Sequence, residues 1–247
     1  MRHFLLPADE PSRRFDARRT NVTLAATIVL LATYNVTRTV VIDDVDTITN
    51  VATAVVVGAL AWWAHLDAHD LGLEGARVGS GLRWGGAVAG IVLVVMALAA
   101  LVPATRPLLD DDRVRVGTGD MLFEVLVTIP LGTVLLEELA FRSSLLGLLR
   151  RGRGELAAVL WCSLLFGLWH IAPAISTSGD NRTLADVTAS PIGLAVSVAG
   201  TVVATGAAGV VFCWLRLRSA SLVAPVLAHW AVNAVTFSVA WATYRWL

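Results

Sequence analysis

Apolar residues run along the chain in seven long stretches separated by short polar turns, at 22–42, 45–65, 84–103, 121–149, 155–172, 191–215 and 220–246. A helix that crosses the hydrocarbon core of a bilayer needs about 20 apolar residues, and each stretch is near that length. None alternates strictly at every second residue, which argues against a membrane β-barrel. No repeat or low-complexity tract divides the chain. The pattern predicts an all-α, polytopic transmembrane helical bundle of about seven spans, one domain over 21–247. Arg38 interrupts the first stretch, whose apolar core before Asn35 is short. The fourth exceeds the bilayer thickness, so its C-terminal turns are expected to emerge into water. Some twenty polar and charged residues precede the first stretch, so it reads as a span rather than a signal peptide, and 1–20 reads as a cytoplasmic leader.

Composition sharpens this picture. Of 247 residues, 56% are hydrophobic and 15% charged, against about 45–50% and about 25% in soluble domains. That excludes an ordinary water-soluble enzyme, and a disordered chain as well. A net charge of zero gives no global footprint for nucleic acid. Cys162 and Cys213 both lie in apolar runs, which implies buried thiols and no disulfide framework. All nineteen basic residues are arginine. Placing the N-terminus in the cytoplasm puts twelve arginines in inner segments and six outside, as the positive-inside rule requires, and an odd number of spans then leaves the C-terminus outside. Trp62, Trp63, Trp84 and Trp214 fall near the inner boundary as interface anchors. The acidic clusters Asp43, Asp44, Asp46 and Asp110, Asp111, Asp112 fall in outer turns. The arginine-, alanine- and valine-rich composition points to a high-GC bacterium and its plasma membrane.

The candidate chemistry lies in charged residues within the spans. A charge at the bilayer centre costs about 2.5–3.5 kcal/mol on insertion scales, yet the fourth stretch holds Glu137, Glu138 and Arg142. Four-residue spacing lets Glu138 and Arg142 pair on one helix face; a structural ion pair would explain those two and leave Glu137 over. Such a leftover carboxylate suits a general base or a proton carrier. His170 ends the fifth stretch, and His229 and Asn233 share a face of the seventh. A lone intramembrane histidine is often only an interhelical hydrogen bond. Counted from the nearest inner boundary, however, Glu138, His170, His229 and Asn233 lie about 18, 22, 15 and 21 Å deep at 1.5 Å per residue. The common level predicts one buried polar cavity.

Glu137-Glu138-x-x-x-Arg142, Phe166-x-x-x-His170 and His229-x-x-x-Asn233 resemble, in order, the three motifs of the CPBP intramembrane proteases, the type II CAAX-processing and bacteriocin-processing (Abi) family. The resemblance covers roughly 121–240. It implies hydrolysis of a peptide bond within the membrane. Glu137 would activate water, His170 and His229 would orient it or bind a metal, Asn233 would help stabilise the oxyanion, and Arg142 would hold Glu138. Family members are usually labelled metalloproteases; two histidines and a carboxylate could form a three-ligand zinc site or work without metal. With Glu138 committed to Arg142, the histidines lack carboxylate partners for their second ring nitrogens. Any divalent metal such as zinc is therefore expected to be weakly held. The implied partner is a membrane-associated peptide or protein, a bacteriocin-type precursor fitting the composition better than a prenylated CAAX protein.

Other signatures carry less. There is no His-Glu-x-x-His. Gly79-Ser80-Gly81 reads as a turn in an inner loop. Gly117-Thr118-Gly119-Asp120 resembles the Gly-x-Gly-Asp motif of presenilin-like proteases but lacks a second intramembrane aspartate, so Asp120 reads as a helix N-cap. His65 and His69, beside Asp67 and Asp70, read as a solvated turn. Two other function classes remain open at this stage: a non-catalytic membrane scaffold or regulator, and a proton-coupled transporter with Glu137 as carrier. The absence of an internal repeat speaks against the transporter.

Overall fold

The computed structural model describes residues 16–40, 47–178, 180 and 182–246. Most of the expected leader, with Arg2, Arg13 and Arg14, and the cluster Asp43, Asp44, Asp46 lie outside the described residues.

The chain is an integral membrane protein built as a helical bundle. Its helices are α1 (Ala17–Val40), α2 (Thr47–Trp63), the short α3 (Ala68–Leu71), α4 (Val78–Leu101), α5 (Thr118–Arg153), α6 (Glu155–Trp169), the short α7 (Ile171–Ser176) and α8 (Arg182–Thr188), α9 (Pro191–Ser219) and α10 (Val223–Trp246). Among the described residues there is no strand. Six helical stretches are long and apolar enough to cross a membrane, and α2 is a shorter apolar helix beside them. The expectation of about seven spans therefore holds.

Several boundaries differ from those the hydrophobic pattern gave. Helix α1 starts inside the expected leader, because Asp16 Oδ1 accepts the Arg19 backbone N–H at 3.0 Å and caps the first turn. Gly79-Ser80-Gly81 is not a turn but the first turn of α4. Gly117, not Asp120, is the residue before α5. Asp120 sits in the first turn, where its carboxylate still faces the positive end of the helix dipole. The C-terminal turns of α5 do not emerge early: burial is continuous from Ala140 to Leu149. The segment 64–72 covers them. Ser143 Oγ donates to Leu71 O at 2.9 Å, Gly147 packs on Leu66, and Arg151 donates to Ala64 O and His65 O at 3.0 and 2.8 Å. His65 and His69 are exposed in that segment, as a solvated turn requires.

Helix α5 is irregular. It runs in the wider π register over Glu124–Thr128, Pro130–Val134 and Glu138–Leu145. Pro130 lacks the N–H that an ordinary i→i−4 bond needs, and π turns are a common way to absorb such an interruption, often at functional sites. A single residue, Gly154, joins α5 to α6. Its φ of +79° and ψ of 170° are open to glycine and strained for any other residue.

Small residues set the closest helix contacts, as expected where lipid supplies no hydrophobic drive for association. On α4, a Cβ at Gly85 would lie 2.8 Å from Ala224 O of α10, and one at Gly81 would lie 2.7 Å from Ser221 Oγ. On α6, a Cβ at Gly167 would lie 2.7 Å from Val202 O of α9. Helix α10 is thus held against α4, and α6 against α9.

Gly85→Ala is expected to lower the thermal unfolding midpoint in detergent, at an overpacking cost of about 1–3 kcal/mol. Gly86, one residue on, faces open space. Gly86→Ala should leave the midpoint unchanged or raise it, since alanine exceeds glycine by about 0.8–1.0 kcal/mol in a helix. Equal responses from both variants would count against the close α4–α10 contact.

Candidate active site

Glu137 closes a short α-helical turn of α5 and Glu138 opens the π stretch that carries Arg142. The three side chains lie inside the bundle, with Glu137 at 5% exposure and Glu138 and Arg142 at 0%. Arg142 pairs with Glu138, Nη1 to Oε1 at 3.2 Å. It makes no ion pair with Glu137. The guanidinium is boxed by aromatic rings, 3.8 Å above the Phe166 centroid, 4.9 Å from Phe212 and 5.8 Å from Phe141. Cation–π attraction of this kind is worth about 2 kcal/mol when desolvated.

His170 sits where α6 gives way to α7, and its Nδ1 lies 2.8 Å from Phe166 O. A carbonyl only accepts, so Nδ1 carries the hydrogen and a neutral ring keeps its lone pair on Nε2. His229, on α10, places Nδ1 2.8 Å from Glu138 Oε1. The expectation that Glu138 is committed to Arg142 alone is therefore corrected. Glu138 Oε1 takes the hydrogen bond of His229 Nδ1 from the facing helix and lies within ion-pair distance of Arg142 on its own. Both histidines thus have the partner for the second ring nitrogen that the sequence did not reveal.

The Nε2 atoms of the two rings converge on one oxygen. Glu137 Oε2 lies 4.0 Å from His170 Nε2 and 3.8 Å from His229 Nε2, and it has no hydrogen-bond partner among the described residues. Glu137 Oε1 accepts the Trp169 indole N–H at 3.0 Å. Asn233, one turn beyond His229, is half-buried and makes no side-chain hydrogen bond among the described residues. Phe212 stacks on the His229 ring at 5.2 Å and 24°, and Phe166 meets the His170 ring edge-on at 4.6 Å.

Two contributors escaped the sequence reading. Trp169 precedes His170 directly, and a tryptophan deep in a span, whose N–H must find an acceptor, was a usable signal. Phe212 offered none, being one apolar residue in an apolar run on α9. Beside the polar cluster, Trp169 and Phe141 also line an apolar cavity of about 330 Å³, bounded by Leu31 and Val36 of α1 and by Leu168 and Ile171.

Residues 120–235 match the model of the family described as type II CAAX prenyl endopeptidase Rce1-like. That match is consistent with the resemblance to the CPBP proteases. The matched stretch contains all six residues singled out from the motifs and runs from the start of α5 into α10. No curated protein and no solved structure matches the chain. The family points to a CAAX-type protease of the membrane, acting on a membrane-associated protein or peptide.

Arg142→Ala would strand Glu138 without its cation inside the matched segment. The cost expected for breaking a buried pair is about 3–5 kcal/mol. Thermal unfolding in detergent should show a large drop, and an unchanged midpoint would rule out a structural role for the pair.

Proposed function

We propose that the chain is an intramembrane endopeptidase in which Glu137 activates a water molecule for attack on a peptide bond. The observation that carries this reading is the convergence of two histidine Nε2 atoms on the unpartnered Glu137 Oε2, at 3.8 and 4.0 Å. Atoms that share one water at about 2.8 Å sit roughly 4.0–4.6 Å apart. Ligands of one tetrahedral zinc at about 2.0–2.1 Å sit roughly 3.3–3.4 Å apart. At 3.8 and 4.0 Å the observed spacings lie between the zinc arrangement and the lower edge of the water arrangement, and the reading rests on the unpartnered Oε2.

In this mechanism the water donates one hydrogen to Glu137 Oε2 and the other to His170 Nε2, which is free to accept because Nδ1 is given to Phe166 O. His229, held through Nδ1 by Glu138, closes the site beside the water. As the water oxygen bonds to the scissile carbonyl carbon, its proton passes to Glu137. The Asn233 amide donates to the oxygen that gains charge. Glu137 then gives the proton to the leaving amine as the carbon–nitrogen bond breaks. Trp169 keeps Oε1 occupied, so Oε2 is the basic atom. The apolar cavity behind Trp169 suits an apolar part of a membrane-associated substrate.

A metal fits the donor types here. Among the described residues no set of three histidine, cysteine or carboxylate side chains is arranged to hold an ion. A divalent ion would be held by Glu137, His170 and His229, and would acidify its bound water. In this reading any such ion is weakly held, and water activation rests on Glu137.

Glu137→Gln is expected to abolish cleavage of a membrane-anchored peptide in proteoliposomes while leaving the unfolding midpoint within a few degrees of wild type. Dialysis against a chelator should leave cleavage by the wild type intact. Residual cleavage by the variant would sink the general-base role. Activity lost on chelation and restored by zinc alone would sink the metal-independent step.

A further inference from the structure

Away from the cluster on α5, three arginines converge at the mouth of the bundle where α4 begins and α9 ends. Arg77, Arg83 and Arg218, with Ser80 and Ser219, line a pocket of about 550 Å³. All three arginines are exposed. Arg83 and Arg218 have no carboxylate partner among the described residues. Arg77 has only Glu74, at 4.0 Å between exposed groups, a contact worth about 0–1 kcal/mol. No side chain caps the first turn of α4. Arg218 lies over the Trp84 ring at 5.3 Å, and Trp84 meets Trp214 edge-on at 5.2 Å.

Below this polar mouth the two helices turn apolar on the same faces. Arg218, Trp214 and Val210 follow one another at four-residue intervals on α9, with Trp214 and Val210 exposed. Arg83, Ala87 and Ile91 do the same on α4, with Ala87 and Ile91 exposed. Such residues share a helix face, and in an integral membrane protein these stripes meet acyl chains. Cation above, tryptophan at the boundary and hydrocarbon below is the profile of one amphiphile.

We propose that this pocket binds the phosphodiester headgroup of an anionic phospholipid, phosphatidylglycerol in type, with its acyl chains along the apolar stripes of α4 and α9. The arginine forks suit phosphate oxygens, and basic pockets between spans are where such headgroups are held. The paired tryptophans and the stripes favour a lipid over a free phosphate, which would use only the cationic mouth. The site is independent of the Glu137 cluster, and binding there does not depend on the proteolytic reading.

The test uses the full chain in a neutral detergent. Native mass spectrometry counts adducts, and the unfolding midpoint is followed as phosphatidylglycerol, phosphatidylcholine or inorganic phosphate is added. Phosphatidylglycerol should form a discrete adduct and raise the midpoint, while the other two leave it unchanged. Arg83→Gln with Arg218→Gln should weaken phosphatidylglycerol binding about thirtyfold, at roughly 1 kcal/mol per arginine near the surface, with the lipid-free midpoint retained. If that double variant fails to fold, Arg77→Gln alone should weaken binding about fivefold. Equal stabilisation by phosphatidylcholine, an equal effect of inorganic phosphate, or binding that survives the substitutions would overturn the proposal.

Discussion

A carboxylate and a guanidinium withdrawn wholly from solvent must be compensated by what surrounds them, because each ion loses several kcal/mol of hydration. The 3.2 Å contact between Glu138 and Arg142 supplies part of this. Three other helices add to it with the Phe166 face from α6, the Phe212 ring from α9 and the His229 ring nitrogen from α10, while the guanidinium nitrogens and Glu138 Oε2 have no hydrogen-bond partner among the described residues. The pair thereby dictates how those helices lie around α5. His170 and His229 acquire their orientation as a by-product, since Phe166 and Phe212 pack against both the guanidinium and the imidazoles.

The two adjacent glutamates illustrate how burial divides labour. Glu138 Oε1 is shared between a cation and a histidine, so it holds the architecture. Glu137 gives one oxygen to Trp169 and leaves the other facing two imidazoles. The α-to-π change between them turns consecutive side chains toward different neighbours without breaking the helix.

Much of this was legible in the sequence because lipid imposes a harsh filter. Apolar runs of about 20 residues have few alternatives to spanning helices, and a charge inside such a run needs a reason to be there. Glu137, Glu138, Arg142, His170, His229 and Asn233 stood out on that ground, and the Glu138–Arg142 pairing followed from helix periodicity. What periodicity could not reveal lies between helices. Glu138 meeting His229, Phe212 covering Arg142 and Trp169 reaching Glu137 all depend on how α5, α6, α9 and α10 face one another. The π register was hidden as well, since it is a property of the hydrogen-bond ladder rather than of residue type. Gly79-Ser80-Gly81 misled for a related reason: the glycines read as a turn, but Gly81 serves the close approach of Ser221 and Val223 at the start of α10.

Gly154 stands alone between α5 and α6, so these helices form a hairpin with no slack along its length. Glu137 lies seventeen residues before this pivot and His170 sixteen after it. At 1.5 Å per residue both sit roughly 25 Å from it. Arms of matched length keep the two side chains level whatever the hairpin does, so height is set covalently. Width is not. An opening of about 5° at the pivot would separate the tips by roughly 2 Å at that radius. Contacts between the arms oppose it: Cys162 Sγ on Phe141 O, the Phe141 and Arg142 side chains on the Phe166 ring, and the Trp169 indole on Glu137. The hairpin has a covalent height and a non-covalent width, and the carboxylate and imidazole are mounted where a small change in that width moves them most.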